Sequence, residues 1–267
     1  MGTATVVCGK LGSSVVDNRT PASLEMSALP ILLHMVACLW YMVFWNHYLA
    51  ERAIPEEEWD PQYKNIHDMG YRYLTNWNLF MQTIFFVGCL LHDIMKMLNG
   101  PNWLKLGSKF QNLLSLHFSS VLLPTSIFVC VAFWLMYAYD REIVYPKIVD
   151  TYVPYWLNHG MHTVILPLIL GELFTTRHKF PSILASLSLF MAFVICYGIV
   201  FLETYVEKGR WVYPLFGMHS VPVALGIMLA LIVKQVIFLF VGIAIQNIYW
   251  GKEETKRYRK PAVKKSN

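Results

Sequence analysis

The chain has 267 residues, of which 56% are hydrophobic and 15% are charged, and it carries a formal net charge of +5. Soluble domains average about 45–50% apolar and about 25% charged residues, so this composition excludes an ordinary water-soluble domain and indicates a multi-spanning membrane protein. The positive charge does not indicate nucleic-acid binding, because seven of the Lys and Arg residues lie in the last sixteen positions of the chain.

Six apolar segments are long enough to cross a hydrocarbon layer about 30 Å thick, which requires roughly 20 helical residues. A polar N-terminal tail (1–25) precedes them and a basic tail (251–267) follows them. Since lipid accepts only helices or closed barrels, segments of this length predict an all-α bundle of six transmembrane helices within residues 26–250. The predicted spans are 26–49, 73–92, 113–139, 155–174, 182–203 and 219–249.

The distribution of basic residues predicts the orientation of the bundle. Fourteen Lys and Arg residues lie in the tails and the even-numbered loops, against seven in the odd-numbered loops. By the positive-inside rule, both termini are therefore expected in the cytosol. The last residues include Lys264 and Lys265, a dilysine pattern that predicts retrieval to the endoplasmic reticulum, with the plasma membrane as a further possible location; a merely solvated basic tail is the alternative.

Polar side chains mark one end of the predicted bundle. Thr75 opens the second span and His162 opens the fourth, and both helices start on the same side of the membrane. At 1.5 Å per residue, their depths agree to within roughly 10 Å. Thr75, Asn78 and Gln82 share one helix face, as do Asn158 and His162 with His159 beside them, so each helix carries a polar stripe that the bundle is expected to turn inward.

Each of these residues also has a simpler interpretation. From spacing alone, Thr75 is most simply a helix cap. His159 and His162, three residues apart, are a weak metal-binding pattern, because no cysteine or carboxylate lies at a fixed spacing from them. The charged residues Lys234, Asp93 and Glu172 lie deeper in the spans, where structural ion pairing, Lys234 with Asp93 in particular, is the simplest expectation and a role in a buried cavity is the alternative.

The central sequence resembles a known family. The run FWLMYAYDREIVYPKIVDTYVPYWLNHGMHTVILPLILGE (133–172) is similar to the signature of the androgen-induced protein family, and YLTNWNLFMQTIFF (73–86), the aspartate beyond it and WVYP (211–214) are further similarities. The resemblance implies a six-span membrane hydrolase that cleaves fatty acid esters of hydroxy fatty acids with a threonine nucleophile and a histidine. Matched motif by motif, these catalytic residues are Thr75 in YLTNW and His162 in NHGMH.

The resulting hypothesis is acyl transfer to Thr75 with His162 as the base, acting on a lipid ester that lies among the helices. No phosphate-binding loop or metal motif is present, so no cofactor is expected, and the expected partners are the ester substrate and membrane lipids rather than nucleic acid. Two alternatives stay open at this point: a non-enzymatic lipid-binding membrane protein (a transporter, receptor or scaffold), and a metal-dependent lipid enzyme that uses His159 and His162.

Overall fold

The computed structural model of the protein describes residues 28–51, 53, 55, 57, 59–178 and 182–259. Within these residues the chain forms helices and no strand, which confirms the all-α prediction. The α-helices are α1 (Ala28–Glu51), α2 (Pro61–His67), α3 (Leu74–Asn99), α4 (Leu104–His117), α5 (Leu123–Asp140), α6 (Tyr155–His162), α7 (Ile165–Thr175), α8 (Ile183–Lys208), α9 (Pro214–Gly217) and α10 (Val221–Arg259).

Five helical segments in the described part of the chain are long and apolar enough to cross a membrane. Their number and composition make this a multi-pass membrane protein. Both predicted tails lie largely outside the described residues, so the cytosolic orientation of the termini stays a prediction. The five segments are Ala28–Glu51, Leu74–Asn99, Leu106–Ile143, Ile183–Lys208 and Val221–Gly251.

The predicted span 155–174 differs from the expectation of one continuous helix. It is divided into α6 and α7, with a break at Thr163 and Val164. The cause is Pro167, whose ring clashes with the carbonyl four residues earlier, which is that of Thr163, and which supplies no N–H to that carbonyl. Neither half is long enough to be counted as a spanning helix, so a sixth crossing of the membrane stays a prediction.

The centre of the bundle combines large apolar side chains with a buried polar row. Phe44, Leu79 and Phe85 are fully buried. Beside them, the Gln82 amide accepts a hydrogen bond from the Tyr41 hydroxyl and donates one to Ser126 Oγ at 2.8 Å. These bonds satisfy polar groups that would otherwise be costly to bury. They confirm that the polar stripe of α3 faces inward.

Candidate active site

The N-terminus of α3 is fixed to the rest of the bundle by hydrogen bonds at Leu74 and at Arg72. The Leu74 backbone N–H donates to the Tyr213 hydroxyl at 3.0 Å. The Arg72 guanidinium donates to Thr204 Oγ1 at 2.9 Å and pairs with Glu207, both on α8. Burial raises the pKa of Tyr213, so its hydroxyl stays neutral. The helix start that carries the next residue, Thr75, is therefore held firmly in place.

The short helix α6 carries the histidine and the group that orients it. His162 Nδ1 lies 2.8 Å from Asn158 Oδ1 and 3.1 Å from the Asn158 carbonyl oxygen, one turn earlier. Both atoms are acceptors, so Nδ1 carries the proton and Nε2 keeps its lone pair. The imidazole also stacks on Phe133, with ring centroids 3.5 Å apart and planes 6° from parallel. Its orientation is thus set by a hydrogen bond and by a flat apolar surface.

Thr75 and His162, which were predicted to lie at similar depths, are in contact in the structure. Thr75 Oγ1 lies 3.4 Å from His162 Nε2, the ring nitrogen that is free to accept a proton. Thr75 is half-buried and His162 is only 7% exposed. A distance of 3.4 Å is longer than an ordinary hydrogen bond, but such contacts commonly shorten when substrate binds. The pair has the arrangement of a hydroxyl nucleophile and its base.

A large apolar cavity reaches this pair. Its volume is about 420 Å³, and Thr75 and His162 both line it. Burial raises the pKa of Tyr145, which also lines the cavity, so that hydroxyl is neutral as well. A cavity of this size and character suits the acyl chains of a lipid. Its apolar wall includes Val129, Phe133, Phe193, Phe201, Met228 and Leu231.

One buried donor close to Thr75 has no hydrogen-bond partner in the described structure. Asn78 lies one turn after Thr75 on α3 and is fully buried. Its Oδ1 accepts from Ser126 Oγ at 3.0 Å, whereas its Nδ2 is unsatisfied. An unsatisfied buried amide costs free energy and often marks a functional site. The other asparagine of the two polar stripes has a different role, because the Asn158 carboxamide oxygen orients His162.

The first histidine of the NHGMH motif, His159, is placed differently. His159 Nδ1 lies 2.9 Å from Thr163 Oγ1, and its ring lies against Trp134, with centroids 5.0 Å apart. Both nitrogens of His162 face other groups, Asn158 and Thr75. The geometry therefore does not favour a metal shared by His159 and His162.

The expected pairing of the deeper charges is wrong in one respect. Asp93 pairs with His34 on α1, at 2.6 Å, rather than with Lys234. Lys234 is one of the residues that line the apolar cavity instead. Glu172 is fully buried and also contacts His34, at 2.9 Å. Depth along the helix axis matched Lys234 with Asp93, but depth alone does not specify which neighbouring helix each side chain contacts.

The asparagine that orients the base was not assigned from the sequence, although a signal for it was present. Asn158 lies four residues before His162, a spacing at which side chains on a helix face each other. The stacking of Phe133 on the imidazole had no comparable signal, because Phe133 lies on another helix. These features together define a multi-pass helical membrane protein with a threonine–histidine pair on the wall of an internal apolar cavity.

The chain belongs to the family described as FAR-17a/AIG1-like protein, whose model matches residues 29–247. The androgen-dependent TFPI-regulating protein of Rattus norvegicus is 38% identical over 234 residues, which cover 86% of this chain and 96% of that protein. The Homo sapiens protein of the same name is 36% identical over 189 residues, covering 71% and 79%. The androgen-induced gene 1 protein of Homo sapiens is 34% identical over 200 residues, covering 73% and 84%. No solved structure matches the chain.

Proposed function

We propose that this protein is a membrane-embedded hydrolase that cleaves fatty acid esters of hydroxy fatty acids through an acyl-threonine intermediate. The observation that carries the proposal is the contact between Thr75 Oγ1 and the unprotonated His162 Nε2, on the wall of an apolar cavity. A free threonine hydroxyl is a poor nucleophile at neutral pH, and an adjacent base is what activates it. The family resemblance implies the same two residues.

In the first half-reaction, His162 Nε2 takes the Thr75 hydroxyl proton as Oγ1 attacks the ester carbonyl. The tetrahedral intermediate collapses by breaking the bond between the carbonyl carbon and the alkoxy oxygen. The imidazolium returns its proton to that oxygen, and the hydroxy fatty acid leaves. Asn158 supports this cycle, because its acceptor oxygens hold the Nδ1 proton and stabilise the imidazolium form of His162.

In the second half-reaction, His162 takes a proton from water, which attacks the acyl-threonine. The collapse of this second tetrahedral intermediate releases the fatty acid and restores the Thr75 hydroxyl. Both intermediates place negative charge on an oxygen near the start of α3. Two donors suit it: the Asn78 Nδ2 amide, which has no partner in the described structure, and the Thr75 backbone N–H, which is in the first helical turn and has no helical acceptor.

A branched lipid ester fits the position of the pair. Thr75 is the second residue of α3, close to one end of the bundle, while the cavity continues to the depth of Lys234 on α10. Lys234 lies thirteen residues into its helix, roughly 20 Å from its start. An ester whose linkage lies partway along a fatty chain can place its carbonyl at Thr75 while its hydrocarbon chains occupy the apolar wall.

Mapping the site of covalent labelling tests this proposal. Membranes that contain the wild-type protein are treated with a fluorophosphonate probe, and the labelled peptide is identified by mass spectrometry. We expect the phosphonyl group on Thr75, unaffected by a chelator, and lost in the variant His162→Gln, because the hydroxyl then lacks its base. The variant His159→Gln is the matched control and should label like the wild type.

The alternatives predict different labelling results. If the wild type turns over the ester while Thr75 carries no label or acyl group, the nucleophile assignment fails. If the protein binds the ester without turnover or labelling, it is a lipid-binding transporter, receptor or scaffold. Loss of turnover with a chelator, and its recovery with added zinc, would favour the metal-dependent enzyme.

We also propose that the protein resides in the endoplasmic reticulum with its basic tail in the cytosol. The support is the pair Lys264 and Lys265 together with the distribution of basic residues. With a tag on the N-terminal tail, the double variant Lys264→Ser, Lys265→Ser is expected to move to later secretory compartments in fluorescence microscopy. Lys256→Ser is the control and should not move. An unchanged distribution of the double variant would refute the retrieval signal.

A further inference from the structure

A second polar cluster lies at the other end of the bundle. His34 on α1, Cys89 on α3 and Glu172 on α7 are 3%, 5% and 0% exposed. One potential ligand atom from each of them lies within 4.8 Å of the other two. Cys89 follows Thr75 by fourteen residues along α3, or about 21 Å. This cluster is therefore separate from the threonine–histidine pair and is not used by the proposed hydrolysis.

Asp93 sets the orientation of the histidine in this cluster. His34 Nδ1 lies 2.6 Å from Asp93 Oδ2, and His34 Nε2 lies 2.9 Å from Glu172 Oε2. Donation from Nδ1–H to Asp93 leaves the Nε2 lone pair directed at Glu172. Two acceptors that face each other require a cation or a proton between them. A histidine that binds a metal usually donates its other ring N–H to a carboxylate, as His34 does here.

The Glu172 carboxylate is also held in place by a neighbouring side chain, that of His178. His178 Nε2 lies 2.9 Å from Glu172 Oε1, the oxygen that does not contact His34. His178 Nδ1 is 3.1 Å from Ser115 Oγ, and its ring stacks on Phe118, with centroids 4.2 Å apart. Glu172 is thereby fixed with one oxygen directed at His34. Cys89 is a free thiol.

We propose that His34 Nε2, Cys89 Sγ and Glu172 Oε2 bind a divalent transition metal, with Zn²⁺ the ion that this donor set suits best. The thiolate and the carboxylate together neutralise the charge of the ion. Zinc bonds of 2.0–2.3 Å in a tetrahedron place neighbouring ligand atoms about 3.3–3.8 Å apart, so only small side-chain movements are needed. The ion links α1, α3 and α7 and thereby stabilises their packing, while its fourth position is open to water.

Metal content is the first measurement for this site. The wild-type protein, purified in detergent and dialysed against metal-free buffer, is expected to retain one zinc ion per chain, measured by inductively coupled plasma mass spectrometry. Cys89→Ser and His34→Gln should each lose it. Cys130→Ser replaces a half-buried cysteine of α5 outside the cluster and should retain the ion.

Two further measurements use the wild-type protein and therefore do not depend on the stability of the variants. Cobalt exchanged into the wild type should produce a sulfur-to-cobalt charge-transfer band in the near ultraviolet, which reports a thiolate ligand. Removal of the zinc by a chelator should lower the melting temperature, and added zinc should restore it.

A folded wild type that contains no metal, and whose melting temperature is the same with chelator and with zinc, would overturn the proposal. The cluster would then be a hydrogen-bonded network in which His34 lies between the carboxylates of Asp93 and Glu172, His178 contacts Glu172, and a proton takes the place of the ion between His34 Nε2 and Glu172 Oε2. That result would leave the proposed hydrolysis unaffected, because the two sites are about 21 Å apart along α3.

Discussion

Replacement of Thr75 by valine is expected to lower the rate of ester hydrolysis by about 10⁴-fold or more. Removal of a nucleophile in a hydroxyl–histidine enzyme leaves only the contribution of substrate binding and of the oxyanion donors. Valine keeps the size and the β-branched shape of threonine, so the helix start and the cavity are preserved. The measurement is turnover of a fatty acid ester of a hydroxy fatty acid by purified protein, with melting temperature as the check on folding.

The control for this substitution is Thr175→Val. Thr175 Oγ1 donates to the Gly171 carbonyl of its own helix, at 2.8 Å, and Thr175 is not among the residues that line the cavity, so hydrolysis should stay at the wild-type rate. Thr75→Ser restores a hydroxyl and should recover part of the activity. The double variant Thr75→Val, His162→Gln should be no slower than either single variant, because the two groups act as a unit. Wild-type turnover by Thr75→Val would remove Thr75 from the mechanism.

Replacement of Asn158 by leucine is expected to reduce kcat by about 10²-fold with little change in KM. The side chain touches the base rather than the substrate, so its loss affects the orientation and the tautomer of His162. In a serine protease, a change of the orienting group that favours the wrong tautomer lowers kcat by about 10⁴. We expect a smaller loss here, because the Asn158 backbone carbonyl, at 3.1 Å, still accepts from Nδ1.

Two variants separate positioning from a general loss of stability. Asn158→Asp keeps an acceptor oxygen at the same place and should be faster than Asn158→Leu. Asn99→Leu, at the exposed end of α3, should leave kcat unchanged. If KM rises as much as kcat falls in Asn158→Leu, or if the aspartate variant is no faster, then Asn158 does not position the base.

The depth of a side chain in the membrane follows from the sequence, but its contact partner does not. Thr75 and His162 were paired from the sequence because each opens a segment on the same side of the membrane, and a helix rises by a fixed 1.5 Å per residue. The same reasoning matched Lys234 with Asp93, and that pairing is wrong. Depth is a property of position along one helix, whereas the direction in which a side chain points depends on how its helix packs against its neighbours.

The sequence by itself therefore determined the helical class, the apolar segments and the end of the bundle at which Thr75 and His162 lie, because lipid imposes length and helicity on each segment separately. Only the tertiary structure decided the contacts that position the two catalytic candidates: the stacking of Phe133 on the imidazole, and the hydrogen bond from the Leu74 N–H at the start of α3 to the Tyr213 hydroxyl. These contacts join residues that are distant in the chain. They result from the simultaneous packing of several helices, which no single segment specifies.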